Sequence, residues 1–158
     1  MKKRGIYLIL HNIRSGHNVG SIFRTADAAG VSKIFLTGYT PAPTDRFGRV
    51  QKEVAKAALG AESFVLWERR ANVKVLLRKL QKENIFCVAV EQDARAVDYK
   101  KIEARQKMAF LFGNEVSGVP RTLCGECDVI AQIPMLGKKE SLNVNVAAGI
   151  ALFRILDV

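Results

Sequence analysis

Polar side chains able to hold a ligand are concentrated in short stretches of this chain, each directly after an apolar run. They are Asn12–Asn18 (NIRSGHN), Glu91–Arg95 (EQDAR), Gly113–Ser117 (GNEVS) and Met135–Asn143 (MLGKKESLN). Gly113 follows the run MAFLF directly, where the lack of a β-carbon permits close backbone approach to a ligand. Ser141 and Asn143 stand where a long apolar helix would begin, and both are strong N-cap types, so spacing alone reads them as caps or as site residues. The longest stretch without periodicity, GYTPAPTDRFGRV from Gly38 to Val50, mixes Arg46 and Arg49 with Tyr39 and Phe47. Arginine beside aromatic rings suits phosphate contact and base stacking; the alternative is an ordinary charged surface loop.

Other chemistries are disfavoured by what is missing. The chain has no G-x-G-x-x-G after its first strand, no G-x-x-x-x-G-K-[ST] and no G-x-S-x-G, which removes the usual dinucleotide, P-loop and nucleophile-elbow readings. Lys and Arg number 25 against 15 Asp and Glu, a net charge of +10, which favours a polyanionic partner, nucleic acid first. Cys124 and Cys127 form a lone C-x-x-C, Cys87 lies in an apolar run, and His11 and His17 are distant in sequence, so free thiols in a reducing compartment and no metal are expected. No apolar run approaches the roughly 20 residues of a membrane span, and the basic start leads straight into an apolar run, read as the first strand of a cytoplasmic protein.

The elements that must position these loops follow from hydrophobic spacing. Ile6–Leu10, Lys33–Thr37, Phe64–Trp67, Ile85–Val90, Met108–Phe112 and Val129–Ile133 read as strands. Helical spacing runs from Val19 through Ile22, Phe23 and Ala26 to Ala29, with Asn18 as the expected cap and Gly30 as the stop. Further helices are expected over Glu53–Leu59 and along the stripe Val73, Leu76, Leu77, Leu80. Strands alternating with helices predict one α/β domain over residues 1–158, with a mostly parallel sheet and helices on both faces. Ligands in such sheets sit beyond the carboxyl ends of the strands, where the polar loops fall. The last helix, from Val144 to Phe153, is apolar on almost every side and is expected to be buried within the core or against a second subunit.

Three of these stretches resemble the ordered motifs of the SpoU (TrmH-like) family of RNA ribose methyltransferases. NIRSGHNVGSIFRTADAAG resembles the first, FLFGNEVSGVP the second and IPMLGKKESLNVNVAAGIALF the third, and together they span the chain. The resemblance implies a C-terminal trefoil knot, a homodimer with the active site at the subunit interface, and methyl transfer from S-adenosylmethionine to a ribose 2′-hydroxyl of tRNA or rRNA. It implies cofactor contacts at Val90, Glu91, Gly113, Ile133, Met135, Leu142 and Asn143, and catalytic or near-catalytic positions at Asn18, Arg24, Glu115, Ser141 and Asn143. Arg24 would act as the base for the hydroxyl or as an electrostatic stabiliser of the alkoxide. No separate RNA-binding domain is recognised, so RNA contact is expected from the basic surface, including Arg14, Arg46, Arg49, Lys52 and Arg121. The competing reading is a non-catalytic RNA-binding protein that keeps the fold.

Overall fold

Strand β1 (Gly5–His11) carries no charged side chain from Gly5 to Leu10, so it can lie in the middle of a sheet covered on both faces. Ile6, Leu8 and Leu10 pack on one face with Val19, Ile22, Phe23 and Ala26 of α1 (Gly16–Ala28) and with α5 (Val144–Leu156). Ile9 points to the other face, against Leu76, Leu77 and Leu80 of α3 (Val73–Lys82) and Leu123 of α4 (Arg121–Glu126). The computed structural model describes residues 4–158; residues 1–3, part of the basic start, lie outside it.

The remaining strands are β2 (Lys33–Thr37), β3 (Leu66–Arg70), β4 (Phe86–Val90), β5 (Val97–Asp98), β6 (Lys107–Phe112) and β7 (Val129–Gln132). They form one seven-stranded sheet in the order β3-β2-β1-β6-β4-β7-β5. Every ladder between them is parallel, with Leu8 opposite Ile34 on one side and Phe110 on the other. All the carboxyl ends therefore lie at one edge, and the loops after β1, β4, β6 and β7 meet there. Helix α2 (Lys52–Ala58) packs across α1 on the first face. Among the described residues no helix is long and apolar enough to cross a membrane.

The expected α/β class and the helices on both faces are what the structure has, with local corrections. Helix α1 is capped by Ser15, whose Oγ accepts the Asn18 N–H at 3.1 Å, so Asn18 lies inside the first turn. Strand β3 starts at Leu66 because Ala61–Ser63 coil into a 3-10 turn and leave Phe64 exposed. Helix α4 and the two-residue β5 are additional. Helix α5 is not covered on all sides within the chain: Ala148, Ala151, Leu152 and Ile155 are buried, but Val146 is 46% and Phe153 39% exposed.

The tightest helix contact is made by Gly20 on α1. A β-carbon there would collide with the Val54 carbonyl oxygen and lie 2.8 Å from Ala57 Cβ on α2. Alanine would gain about 0.5–1 kcal/mol in helix propensity but cost about 1–3 kcal/mol through overpacking. Overpacking should win, so Gly20→Ala is expected to lower the urea midpoint by the equivalent of about 1–2 kcal/mol. A raised midpoint would show that α1 and α2 are not in this contact.

Candidate active site

The loop that follows β6 is rigid because its own side chains tie it down. Asn114 Oδ1 accepts the Val116 and Ser117 N–H groups at 2.9 and 3.0 Å, closing a local turn. Its amide nitrogen reaches outward, donating to the Asn12 carbonyl at 3.0 Å and to the Tyr39 hydroxyl at 2.9 Å. On the far flank the Glu91 carboxylate, at the end of β4, accepts from Val119 N at 2.8 Å and Gln92 N at 2.7 Å. A β-carbon on Gly113 would strike the Gly118 backbone, so the turn closes only with glycine at that position.

Glu115 then reaches across to the loop after β1. Its carboxylate accepts the backbone N–H of Arg14 at 2.9 Å and of Ser15 at 3.0 Å, and the Asn18 Nδ2 at 3.1 Å. Asn18 in turn accepts, on Oδ1, the Asn143 Nδ2 at 3.1 Å. Asn143 caps α5 with its own Oδ1, which accepts Asn145 N at 2.9 Å. One amide side chain thus joins the loops after β1, β6 and β7. Burial pushes the Glu115 carboxyl up, but the donors from Arg14, Ser15 and Asn18 outweigh it and hold the group below its ordinary range.

These loops enclose a cleft of about 250 Å³ at the carboxyl ends of β4 and β6. Its apolar floor is Val90, Phe112, Val144 and Ala147, and its rim includes Glu91, Gly113, Ile133, Ser141 and Leu142. The loop Asn114–Ser117 forms one wall of this cleft and also one wall of a second, wider groove lined by Arg14, Ser15, Tyr39 and Glu53. That groove continues over Pro41, Val50 and Lys52. No histidine lines the cleft; its titratable residues are Glu91, Glu115 and Glu140. Two adjoining cavities with a common wall are an arrangement for transferring a group between two bound molecules.

Of the residues singled out from sequence, Val90, Glu91, Gly113, Glu115, Ile133, Ser141 and Leu142 line the cleft, while Asn18 and Asn143 meet beside Glu115. Met135 does not line it. Arg24 is exposed on α1, off the cleft, and among the described residues it has no ion-pair partner. Arg14 and Lys52 line the groove; Arg46 and Arg49 stack on Phe47, 4.7 and 5.0 Å from its ring centre. Arg121 begins α4 outside the groove, its carbonyl accepting Arg95 Nη2 at 3.2 Å. Asn114, read from the sequence only as one residue of the loop Gly113–Ser117, is the residue that closes that loop. Burial pushes the Cys87 thiol up to about 12 and the Cys124 thiol to about 11, so both are unreactive. Among the described residues no cluster of His, Cys, Asp and Glu is placed to hold a metal.

Residues 5–153 match the profile of the SpoU rRNA Methylase family. The chain belongs to that family. Among its SpoU relatives are the 23S rRNA (guanosine-2′-O-)-methyltransferases RlmB of Xylella fastidiosa and Bordetella pertussis. The first is 35% identical over 150 residues, 95% of this chain and 57% of the relative. The second is 34% identical over 148 residues, 94% of this chain and 58% of the relative. The AdoMet-bound rRNA methyltransferase from Sinorhizobium meliloti superposes with a TM-score of 0.86 at 34% identity, covering 98% of this chain and 56% of that one. The chain thus spans little more than half the length of these SpoU proteins.

The SpoU cleft depends on Glu115 as an acceptor. In Glu115→Gln an amide N–H replaces one acceptor opposite backbone donors, which should cost about 1–3 kcal/mol at pH 7. Because the folded carboxyl titrates below its ordinary value, the stabilisation is complete above that value and is lost as pH falls through the folded one. Urea denaturation of both proteins from pH 7 into the acid range should show the gap closing. A gap constant over that range would mean that ionised Glu115 does not hold the loop.

Proposed function

We propose that this protein is an S-adenosylmethionine-dependent methyltransferase acting on a ribose 2′-hydroxyl of tRNA or rRNA. The observation that carries this reading is the wall Asn114–Ser117, shared between a small half-apolar cleft and a wide groove with basic residues along it. The cleft suits the cofactor chemically: Val90, Phe112, Val144 and Ala147 give an apolar bed for an adenosine, and the Glu140 carboxylate at the rim suits a cationic ligand. Bound there, the cofactor supplies an electrophilic methyl group. Val90, Gly113, Ile133 and Leu142 would hold it, with Met135 and Asn143 nearby. Glu91 acts through its grip on the Val119 and Gln92 N–H groups.

The chain's own part in the reaction is positioning and charge. A guanidinium stays protonated at neutral pH, so Arg24 serves as an electrostatic stabiliser of the developing alkoxide rather than as its base. Glu115 is engaged by N–H donors and held below its ordinary range, which makes it a weak proton acceptor. Its role is to fix the loop that carries Arg14 and, through Asn18, the first turn of α1. Ser141 and Asn143 would orient the ribose from the start of α5. Arg14, Arg46, Arg49 and Lys52 would meet RNA phosphates, with Arg121 further out.

The same reading includes a trefoil knot and a homodimer. The strand order supports the knot: β7 lies between β4 and β5, so the segment joining those two strands bridges across it, and α5 packs on the turn Tyr99–Lys101 just after β5. The exposed stripe of α5 supports the dimer, since Val146, Ile150 and Phe153 share one face of a helix whose only charged residue is Arg154. Residues 1–158 would form one catalytic domain, working in the cytoplasm, where three free thiols are stable.

Transfer of a labelled methyl group into bulk tRNA and rRNA, with nucleoside analysis, tests the reaction. Label is expected in a 2′-O-methylnucleoside, and Arg24→Ala should reduce the rate about 10²–10³-fold. Cofactor binding without transfer to either RNA would leave a non-catalytic RNA binder. For the dimer, Phe153→Glu should give folded monomers by light scattering, because the side chain is exposed within the chain. A dimer unaffected by that charge would place the seam elsewhere.

A further inference from the structure

Helix α3 carries positive charge in a pattern that works against its own stability. Its ten residues, VKVLLRKLQK, include Lys74, Arg78, Lys79 and Lys82 and no carboxylate. Lys74, Arg78 and Lys82 follow at four-residue steps, so they form a row on one face, about 6 Å apart along the axis. Like charges at that spacing repel and weaken a helix. Lys79 and Lys82 in the last turn suit the helix dipole, but Lys74 in the first turn opposes it. Arg78 finds an acid, Glu126 of α4 at 3.3 Å. Among the described residues Lys74, Lys79 and Lys82, all exposed, have no ion pair, although Glu83 follows at the end of the helix. The fold does not need this row.

An anionic partner would relieve it, and the helix shows which kind. A basic amphipathic helix lies on a membrane only by burying its apolar face there. Here Val73, Leu76, Leu77 and Leu80 are already packed into the core, so only the charged face is on offer. The helix has no aromatic side chain on which an unpaired base could stack. What it can do is contact successive phosphates, which a paired stem holds at fixed spacing. Its place continues the proposed RNA surface. It starts just after β3, where Arg69 donates to the carbonyls of Gly38 at 3.2 Å and Thr40 at 2.7 Å, at the root of the loop bearing Arg46 and Arg49. From there the row runs down the second face of the sheet, away from the face on which α5 packs. We propose that α3 is a phosphate-backbone rail for a paired stem of the substrate RNA, outside the nucleotide that reacts. That the polyanion is RNA rests on the methyl-transfer reading; the unneutralised row does not.

The test is binding of the full chain to dye-labelled unfractionated tRNA, followed by fluorescence anisotropy over a range of salt concentrations. Glutamine matches lysine in helix propensity, so Lys74→Gln with Lys82→Gln keeps the helix. That variant should bind tRNA about tenfold weaker, with the slope of log affinity against log salt smaller by about 2. Lys101→Gln with Lys107→Gln removes the same charge from exposed, unpaired positions off the rail and should cost much less. Equal losses from the two pairs, or a tRNA affinity that Lys74 and Lys82 do not affect, overturns the rail. So does an equal loss on an oligouridylate, which has no stem. Flotation with phosphatidylserine vesicles checks the other anionic partner: binding there through Lys74 and Lys82, beside unchanged tRNA affinity, gives this face to a membrane. Methyl transfer separates the rail from the enzyme. The α3 variant should raise KM for tRNA and keep kcat. An unchanged KM leaves the enzyme standing without the rail. Binding of tRNA that depends on α3, without transfer to any RNA, leaves the rail standing without the enzyme.

Discussion

Glu115 holds the backbone of Arg14 and Ser15 and the side chain of Asn18, while Asn18 holds Asn143. Few side chains in the molecule link segments so distant in sequence, with some hundred residues between the partners. The parallel sheet makes this possible by bringing the ends of β1, β6 and β7 to one edge, but it does not set the height or tilt of their loops. The carboxylate and the amide do that. Both cavities take their shape from the result, since the loop carrying Glu115 is the wall between them. Charge-assisted hydrogen bonds to backbone N–H groups are short and directional, so a loop held by them is better placed than one held by apolar contact alone.

This engagement decides what the carboxylates can do. Beside the phosphates of the proposed RNA substrate, a carboxylate is costly unless something local occupies it. Glu91 is occupied by Val119 and Gln92, and Glu115 by the loop after β1, so both are structural braces. Glu53 is the contrast: it lines the groove and nothing in the described chain holds it.

Most of the sheet could be read from the sequence because its strands are nearly uncharged runs, as both-face burial demands. Helix α3 was equally plain, with its four apolar residues on one stripe. The elements that escaped are those too short to have a period: α4 is six residues and β5 two. The start of α1 was misplaced because Ser15 and Asn18 are both good caps, and propensity cannot rank them. The decision comes from Glu115, about a hundred residues away, which takes the Asn18 amide for itself. The site was legible as polar loops after strands, but not as a network, because hydrogen-bond partners between loops leave no spacing. Tyr39 could be seen as an aromatic in a basic loop; that Asn12 holds its backbone N–H and Asn114 its hydroxyl could not.

Arg24 is the residue that a single chain leaves unplaced. An α-helix turns about 100° per residue, so Arg24 lies some 120° around α1 from Asn18, on the ridge that carries exposed His17. It cannot share the face that Asn18 presents to Glu115. Its neighbour Thr25, however, donates from Oγ1 to Asn145 Oδ1 at 2.9 Å, so the arginine stands beside the junction of α1 and α5. The exposed stripe of α5 begins at the same junction, with Val146. A two-fold contact that covered this stripe would be self-complementary, covering both copies at once and setting each Arg24 at the seam. The proposed dimer and the proposed role of Arg24 are thus one physical requirement: burial of an apolar helix face is the force that would carry a cation to a site its own chain does not let it reach.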